Sequence, residues 1–260
     1  MAIIAASILD ADYARLKHEV TRVAAAGVDA FTLDVMDGHF VPRLTFGDFL
    51  VAQIRTWIDL PIEIHLMVER PATFVQRMSD SGADMIVFHL EAAPDPFEVV
   101  ERIRAEKRSV GVALRYDTPI GELPDDLIAA VDLVNLVAVP LGFGGSESAD
   151  DTFERISSLR GRAETLGVEL GIEVDGGVKP QNASGYAEAG ADMLTVGTGI
   201  YHADDVDEAV GVLHDSTRGS LDERARVRLR RFLSRPSSAP VDDPARRAPK
   251  NAADPMTTPR

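Results

Sequence analysis

Eight short apolar runs, each separated from the next by a polar or amphipathic stretch, predict an α/β chain in which strands and helices alternate. A repeated Gly-x-Asp triplet points the same way, and 260 residues lie close to the roughly 250 common for one closed barrel. The predicted fold is a single (β/α)8 TIM barrel with a disordered C-terminal tail. An open doubly wound sheet is the alternative, and the count of eight favours closure.

In chain order the strand candidates are Ile3–Leu9, Phe31–Met36, Ile62–Met67, Met85–Leu90, Val110–Leu114, Leu133–Val139, Leu170–Val174 and Met193–Val196. Helical patterns such as Tyr13–Ala26, Pro71–Ser81, Phe97–Lys107 and Thr152–Leu166 lie between them, with apolar residues returning every three or four positions. Gly27-Val28-Asp29, Gly82-Ala83-Asp84 and Gly190-Ala191-Asp192 stand where a helix should end and a strand begin, with glycine supplying a left-handed C-cap. Their separations, 55 and 108 residues, approximate two and four multiples of a βα unit of about 27.

Charge divides the chain near residue 215. The first 215 residues carry 16 Lys/Arg and 37 Asp/Glu, whereas residues 216–260 carry 11 and 5. The barrel is therefore assigned to 1–215, a short basic helix or extension to 216–234, and a Pro-rich disordered tail to 235–260. Leu221, Ala225, Leu229 and Phe232 recur at near-helical spacing among five arginines, which reads as a short helix docked on or dangling from the acidic domain rather than an anion-binding arm. Pro236, Pro240, Pro244, Pro249, Pro255 and Pro259 sit in a composition too poor in apolar surface to offset chain entropy.

A net charge of −15 repels nucleic-acid backbones and anionic membranes, so neither is an expected partner. The absence of cysteine excludes disulfides, thiolate metal sites and cysteine nucleophiles. The opening run Ile3–Leu9 has no basic segment before it and ends at Asp10, unlike a signal peptide, and no run reaches the 18 apolar residues of a membrane span. The expected compartment is the cytoplasm.

Active sites of such barrels lie at the C-terminal ends of the strands, where the sequence offers Ser7, Asp34, His65, His89 and Asp175. Asp34 and Asp175 follow the second and seventh strands, three places apart around an eight-membered ring, and so can face each other across its mouth. Two opposed carboxylates suit removal of a proton from one face of a carbon and its return to the other. Their mutual repulsion invites one divalent metal, with His65 as the third ligand, and an N/O set of this kind suits Zn2+, Mn2+ or Fe2+. Glycine clusters after the last three strands, Gly142-Phe143-Gly144-Gly145, Gly176-Gly177 and Gly197-Thr198-Gly199, offer bare N–H groups to a phosphate. Met36 and Met67 share the strand ends of Asp34 and His65, either as barrel packing or as water-excluding contacts around a substrate.

From about Ile3 to Ala209 the chain resembles the ribulose-phosphate 3-epimerase family. The resemblance lies in Ser7-Ile8-Leu9, Asp34-Val35-Met36-Asp37-Gly38-His39-Phe40-Val41-Pro42, His65-Leu66-Met67, Gly142-Phe143-Gly144-Gly145 and Glu173-Val174-Asp175-Gly176-Gly177. It implies a (β/α)8 barrel that interconverts D-ribulose 5-phosphate and D-xylulose 5-phosphate through a cis-enediolate, with one divalent metal and as a homo-oligomer. It further implies Asp34 and Asp175 as acid/base groups and metal ligands, His65 as a ligand, Ser7 on the substrate, and Gly177, Gly197 and Thr198 on its phosphate.

Three departures accompany the match. Thr32-Leu33-Asp34 stands where the family has His-x-Asp, so one metal-ligand histidine is missing. Pro140-Leu141 precedes the Gly142 loop in place of Asn-Pro, with Val137 at a methionine position, and Arg115-Tyr116 replaces Asn-Pro after the fifth strand. The alternatives are the same C3 chemistry on another ketose phosphate, such as a hexulose 6-phosphate, and a catalytically impaired barrel that only binds a sugar phosphate. A Schiff-base aldolase is disfavoured because none of Lys17, Lys107, Lys179 and Lys250 ends a strand, and no Asp-x-Lys-x-x-Asp motif of phosphosugar decarboxylases is present.

Overall fold

The computed structural model describes residues 1–141, 148–149, 151–218 and 229–234. The glycines of the 142–145 loop and the 235–260 tail lie outside these residues. Eight strands, β1 (Ile3–Ser7), β2 (Ala30–Met36), β3 (Ile62–Met67), β4 (Met85–His89), β5 (Ser109–Leu114), β6 (Leu133–Val137), β7 (Gly171–Asp175) and β8 (Met193–Val196), close on themselves in sequence order. All eight pairings are parallel. The helices are α1 (Leu16–Ala25), α2 (Asp48–Arg55), α3 (Val75–Asp80), α4 (Pro96–Ala105), α5 (Asp125–Ala130), α6 (Thr152–Leu166), α7 (Ala183–Ala189), α8 (Thr198–Tyr201), α9 (Val206–Ser216) and α10 (Arg230–Leu233). The (β/α)8 barrel expected from the alternation is the fold found.

Three apolar runs overshoot their strands at the C-terminal end. β1 stops at Ser7 because its hydroxyl accepts the Leu9 N–H and turns Ile8–Asp10 into a 3-10 helix. β4 gives way to a second 3-10 turn at Leu90–Ala92, and β6 ends at Val137 rather than Val139. Helix starts follow local chemistry: Asp95 accepts the N–H groups of Phe97 and Glu98 ahead of α4, with Pro96 in its first turn, and Asp205 accepts that of Glu208 ahead of α9.

The Gly-x-Asp triplets have a double role. Gly27, Gly82 and Gly190 hold φ of +94°, +103° and +115°, reversing the chain out of a helix as only glycine does without strain. The aspartates then tie the barrel together at its N-terminal rim. Asp29, Asp84 and Asp192 accept the backbone N–H of Ile4, Ile62 and Ile172, at 2.9, 2.9 and 3.0 Å, and Asp132 does the same for Val110 at 2.8 Å. Each even-numbered strand is thus introduced by a carboxylate that fixes the start of the odd strand before it. Arg55, Arg104 and Arg160, from α2, α4 and α6, pair with Asp84, Asp132 and Asp192, and His214 of α9 approaches Asp29.

Apolar packing forms two shells. The larger lies between the strands and the helices, with Phe31, Leu33, Ile64, Phe88 and Tyr186 among its fully buried members. The smaller fills the barrel itself, with Ile3, Ala5, Met85, Val87, Leu133 and Met193. Leu229 and Phe232, on and beside α10, belong to this inner shell and close its lower end. Leu229 sits so near Gly171, at the start of β7, that a Cβ there would approach its Cδ2 to 2.8 Å.

Candidate active site

Alternation along parallel strands sends every second side chain into the barrel, so Asp34, His65 and Asp175 enter from the upper ends of β2, β3 and β7. Asp34 is opposite His65 in the β2–β3 register. The His65 Nδ1 lies 3.0 Å from Asp34 Oδ1 and 3.3 Å from Asp175 Oδ2, and the Ser7 hydroxyl donates to Asp34 Oδ2 at 2.8 Å. The two carboxylates therefore converge on one ring nitrogen at the floor of a cavity. Met36, Met67 and Val137 give it apolar lining, and Gly176, Gly177, Gly197 and Thr198 line it as well.

Burial would disfavour a charged His65, but its hydrogen bonds to Asp175 and Asp34 outweigh that effect and hold its pKa well above the ordinary histidine value. Burial raises the Asp175 carboxyl above its ordinary value, partly offset by the bond to His65. On the other side of His65, burial pushes His89 down to about 4.

The donor atoms of Asp34, His65 and Asp175 all lie within 4.8 Å of one another. One imidazole nitrogen and two carboxylate oxygens at that spacing fit a borderline divalent cation and leave room for further oxygen ligands. Thr32 is not part of this group. Its hydroxyl is fully buried below it, 3.2 Å from Thr195 Oγ1, and Thr195 donates to Glu173 Oε1. A second pair of acids, Glu63 and Glu173, occupies the same lower layer; burial raises both, Glu173 to about 8.

Ser7, Met36, Met67, Gly176, Gly177, Gly197 and Thr198 thus come together around Asp34, His65 and Asp175, while Gly142, Gly144 and Gly145 lie outside the described residues. Gly176 and Gly177 adopt φ of +102° and +69°, and a Cβ on Gly177 would lie 2.6 Å from the Ser148 backbone nitrogen. Sequence reasoning missed Asp10, which it read only as the end of an apolar run. Asp10 lines the cavity beside Gly197 and Thr198, and stands where a Cβ on Gly197 would strike its carboxylate. The only signal was its place just beyond Ser7.

Comparison with known proteins extends the pattern to most of the chain. Residues 3–201 match the ribulose-phosphate 3 epimerase family. The chain belongs to this family. Ribulose-phosphate 3-epimerase of Bacillus subtilis (strain 168) is 36% identical over 214 residues, covering 82% of this chain and 98% of its own. The chloroplastic ribulose-5-phosphate-3-epimerase of Arabidopsis thaliana is 37% identical, covering 83% and 77%. Membership of the epimerase family makes the chain an isomerase. Its barrel is also shared with more distant solved structures: KGPDC from Streptococcus mutans has a TM-score of 0.63 at 15% identity over 85% of this chain and 100% of its own. Orotidine 5'-phosphate decarboxylase from Pyrococcus horikoshii OT3 has a TM-score of 0.59 at 18% identity, covering 83% and 99%. No helix among the described residues is long and apolar enough to cross a membrane.

Proposed function

We propose that this epimerase inverts C3 of D-ribulose 5-phosphate to give D-xylulose 5-phosphate. The observation that carries the reading is the convergence of Asp34 and Asp175, from β2 and β7, on His65 at the floor of a cavity also lined by Gly176, Gly177 and Gly197. One carboxylate removes the C3 proton from one face of the substrate and the other returns a proton to the opposite face, through a cis-enediolate. Ser7 holds Asp34 by its hydrogen bond, which fixes the carboxylate's orientation. Met36 and Met67 keep water from the reacting carbon, and Gly177, Gly197 and Thr198 take the phosphate. Asp34, His65 and Asp175 would hold a divalent cation, Zn2+, Mn2+ or Fe2+, which would supply polarisation of the substrate carbonyl and charge compensation.

A second reading, the same chemistry on another ketose phosphate, draws on Asp10, whose carboxylate alters the phosphate end of the cavity. Incubation with ribulose 5-phosphate in deuterated water, followed at C3 by NMR, separates the two. Deuterium entry with xylulose 5-phosphate formation supports the first; exchange only with a hexulose 6-phosphate supports the second. Asp175→Asn keeps the shape of the side chain and removes one proton carrier, so turnover should fall by at least ~100-fold. Near-normal activity of that variant would sink the two-carboxylate scheme.

A further inference from the structure

His89 ends β4 fully buried, beyond the residues to which the reaction assigns a role. Its ring meets that of His65 edge to edge, with centroids 5.0 Å apart and planes at 26°, and Phe40 packs on it at 5.0 Å. Its Nε2 is 2.9 Å from His65 Nε2. Two imidazole nitrogens at that distance require one to carry hydrogen and the other a lone pair.

The choice is made on the far side of His89. Its Nδ1 lies 3.2 Å from Glu91 Oε2, and an ionised carboxylate only accepts, so Nδ1 carries the hydrogen. A neutral His89 then presents a lone pair at Nε2, and His65 must donate from its own Nε2. Glu91 is itself fixed, because its Oε1 accepts the Arg115 backbone N–H at 2.9 Å and the Thr118 hydroxyl at 2.5 Å. A chain of hydrogen bonds therefore runs from the loop after β5 through Glu91 and His89 to the back of His65. The front of the same ring, Nδ1, faces Asp34 and Asp175.

We propose that Glu91 and His89 are positioning residues that commit the Nε2 hydrogen of His65 to His89, so that Nδ1 is the atom left to bind a divalent cation. Metal-ligating histidines commonly donate their second nitrogen to a carboxylate or carbonyl. Here a second imidazole is interposed, and the carboxylate stands one residue further out. The consequence for metal rests on the reading of Asp34, His65 and Asp175 as a metal centre; the direction of the hydrogen bonds does not.

Glu91→Gln tests the idea with a side chain of the same shape. The Arg115 N–H and the Thr118 hydroxyl claim the amide oxygen, which turns the amide NH2 toward His89 Nδ1. His89 must then carry its hydrogen on Nε2, so His65 must present a lone pair at its own Nε2 and keep its hydrogen on Nδ1, where the cation would bind. Histidine 15N NMR of the full chain should show His89 protonated at Nδ1 alone and His65 protonated at Nε2 in the wild type, and in Glu91→Gln His89 protonated at Nε2 alone, with the Nε2 of His65 bare. Competition titration of Zn2+ against a chelator should show an affinity ~10–100-fold lower in Glu91→Gln and in His89→Phe, a loss typical of such supporting groups. His89→Gln, whose amide oxygen can accept from His65, should recover most of that affinity.

A wild-type spectrum with His89 protonated at Nε2 overturns the proposal, as does an unchanged Zn2+ affinity in both Glu91→Gln and His89→Phe. Failure of the wild type to bind either Zn2+ or Mn2+ overturns the metal reading and the proposed role with it, while the NMR tautomers still report whether the hydrogen-bond chain exists. Loss of affinity with an unfolded circular dichroism spectrum in His89→Phe leaves the decision to Glu91→Gln, which adds no volume.

Discussion

Asp10 presents a carboxylate to the end of the cavity lined by Gly197 and Thr198, the groups proposed to take the substrate's phosphate. Burial raises this carboxyl above its ordinary value, and the nearby His202 partly offsets that rise. Removing the negative charge should therefore favour a phosphorylated ligand. Asp10→Asn is expected to lower KM for the ketose phosphate by about tenfold, the size of a screened charge pair, with steady-state kinetics as the measurement. An unchanged KM would place the phosphate elsewhere. Thr32 calls for the opposite experiment, the addition of a donor. Positions 32 and 34 share one strand face, and the Thr32 hydroxyl is engaged by Thr195 below the carboxylates. Thr32→His should raise affinity for Zn2+ by about tenfold or more, since an imidazole replaces a neutral hydroxyl. Chelator competition showing no gain would mean that a side chain at 32 does not reach the cation.

The elements were legible because their signals are local. Apolar runs bounded by polar residues located all eight strands, and only their ends differed, as at Ser7, where a side-chain cap turns the chain before the apolar run is finished. The Gly-x-Asp triplets marked helix ends correctly, yet the task of the aspartate was hidden, because the N–H it accepts lies 20 to 25 residues upstream. The same distance effect concealed the contact between Glu91 and Thr118, 27 residues apart and on successive loops. The four rim aspartates are not equivalent. Asp84 and Arg55 are almost completely buried, with side-chain exposures of 9% and 1%, whereas Asp29 is 25% exposed and 3.9 Å from His214. Asp84→Ala leaves a buried guanidinium without its carboxylate and should cost about 3–5 kcal/mol. Asp29→Ala should cost about 1 kcal/mol, near the value of one hydrogen bond. Urea denaturation of the two variants checks the order, and equal losses would show that the backbone contact, not the ion pair, dominates.

Across the whole molecule the barrel has two ends with different duties. The upper end gathers Asp34, His65 and Asp175; the lower end is closed by Leu229 and Phe232, which lie in a segment the sequence distinguished mainly by its basic charge. Apolar spacing over Leu221–Phe232 could suggest a helix but not what Leu229 and Phe232 cover, because the first residues of strands far apart in the chain surround them; Leu221 and Ala225 lie outside the described residues. Phe232 is fully buried among the residues of the inner shell. Phe232→Ala should open a cavity at the barrel floor and cost about 3–5 kcal/mol of stability. The reacting groups stand at the other end, separated from it by the packed layers of Ile3, Ala5, Met85 and Met193, so kcat measured well below the melting transition should remain within about twofold of wild type. Asp175→Asn should show the converse, an intact transition with lost turnover. A Phe232→Ala protein that stays folded but loses kcat would show that the floor of the barrel transmits its packing to the carboxylates, and that the two ends do not act independently.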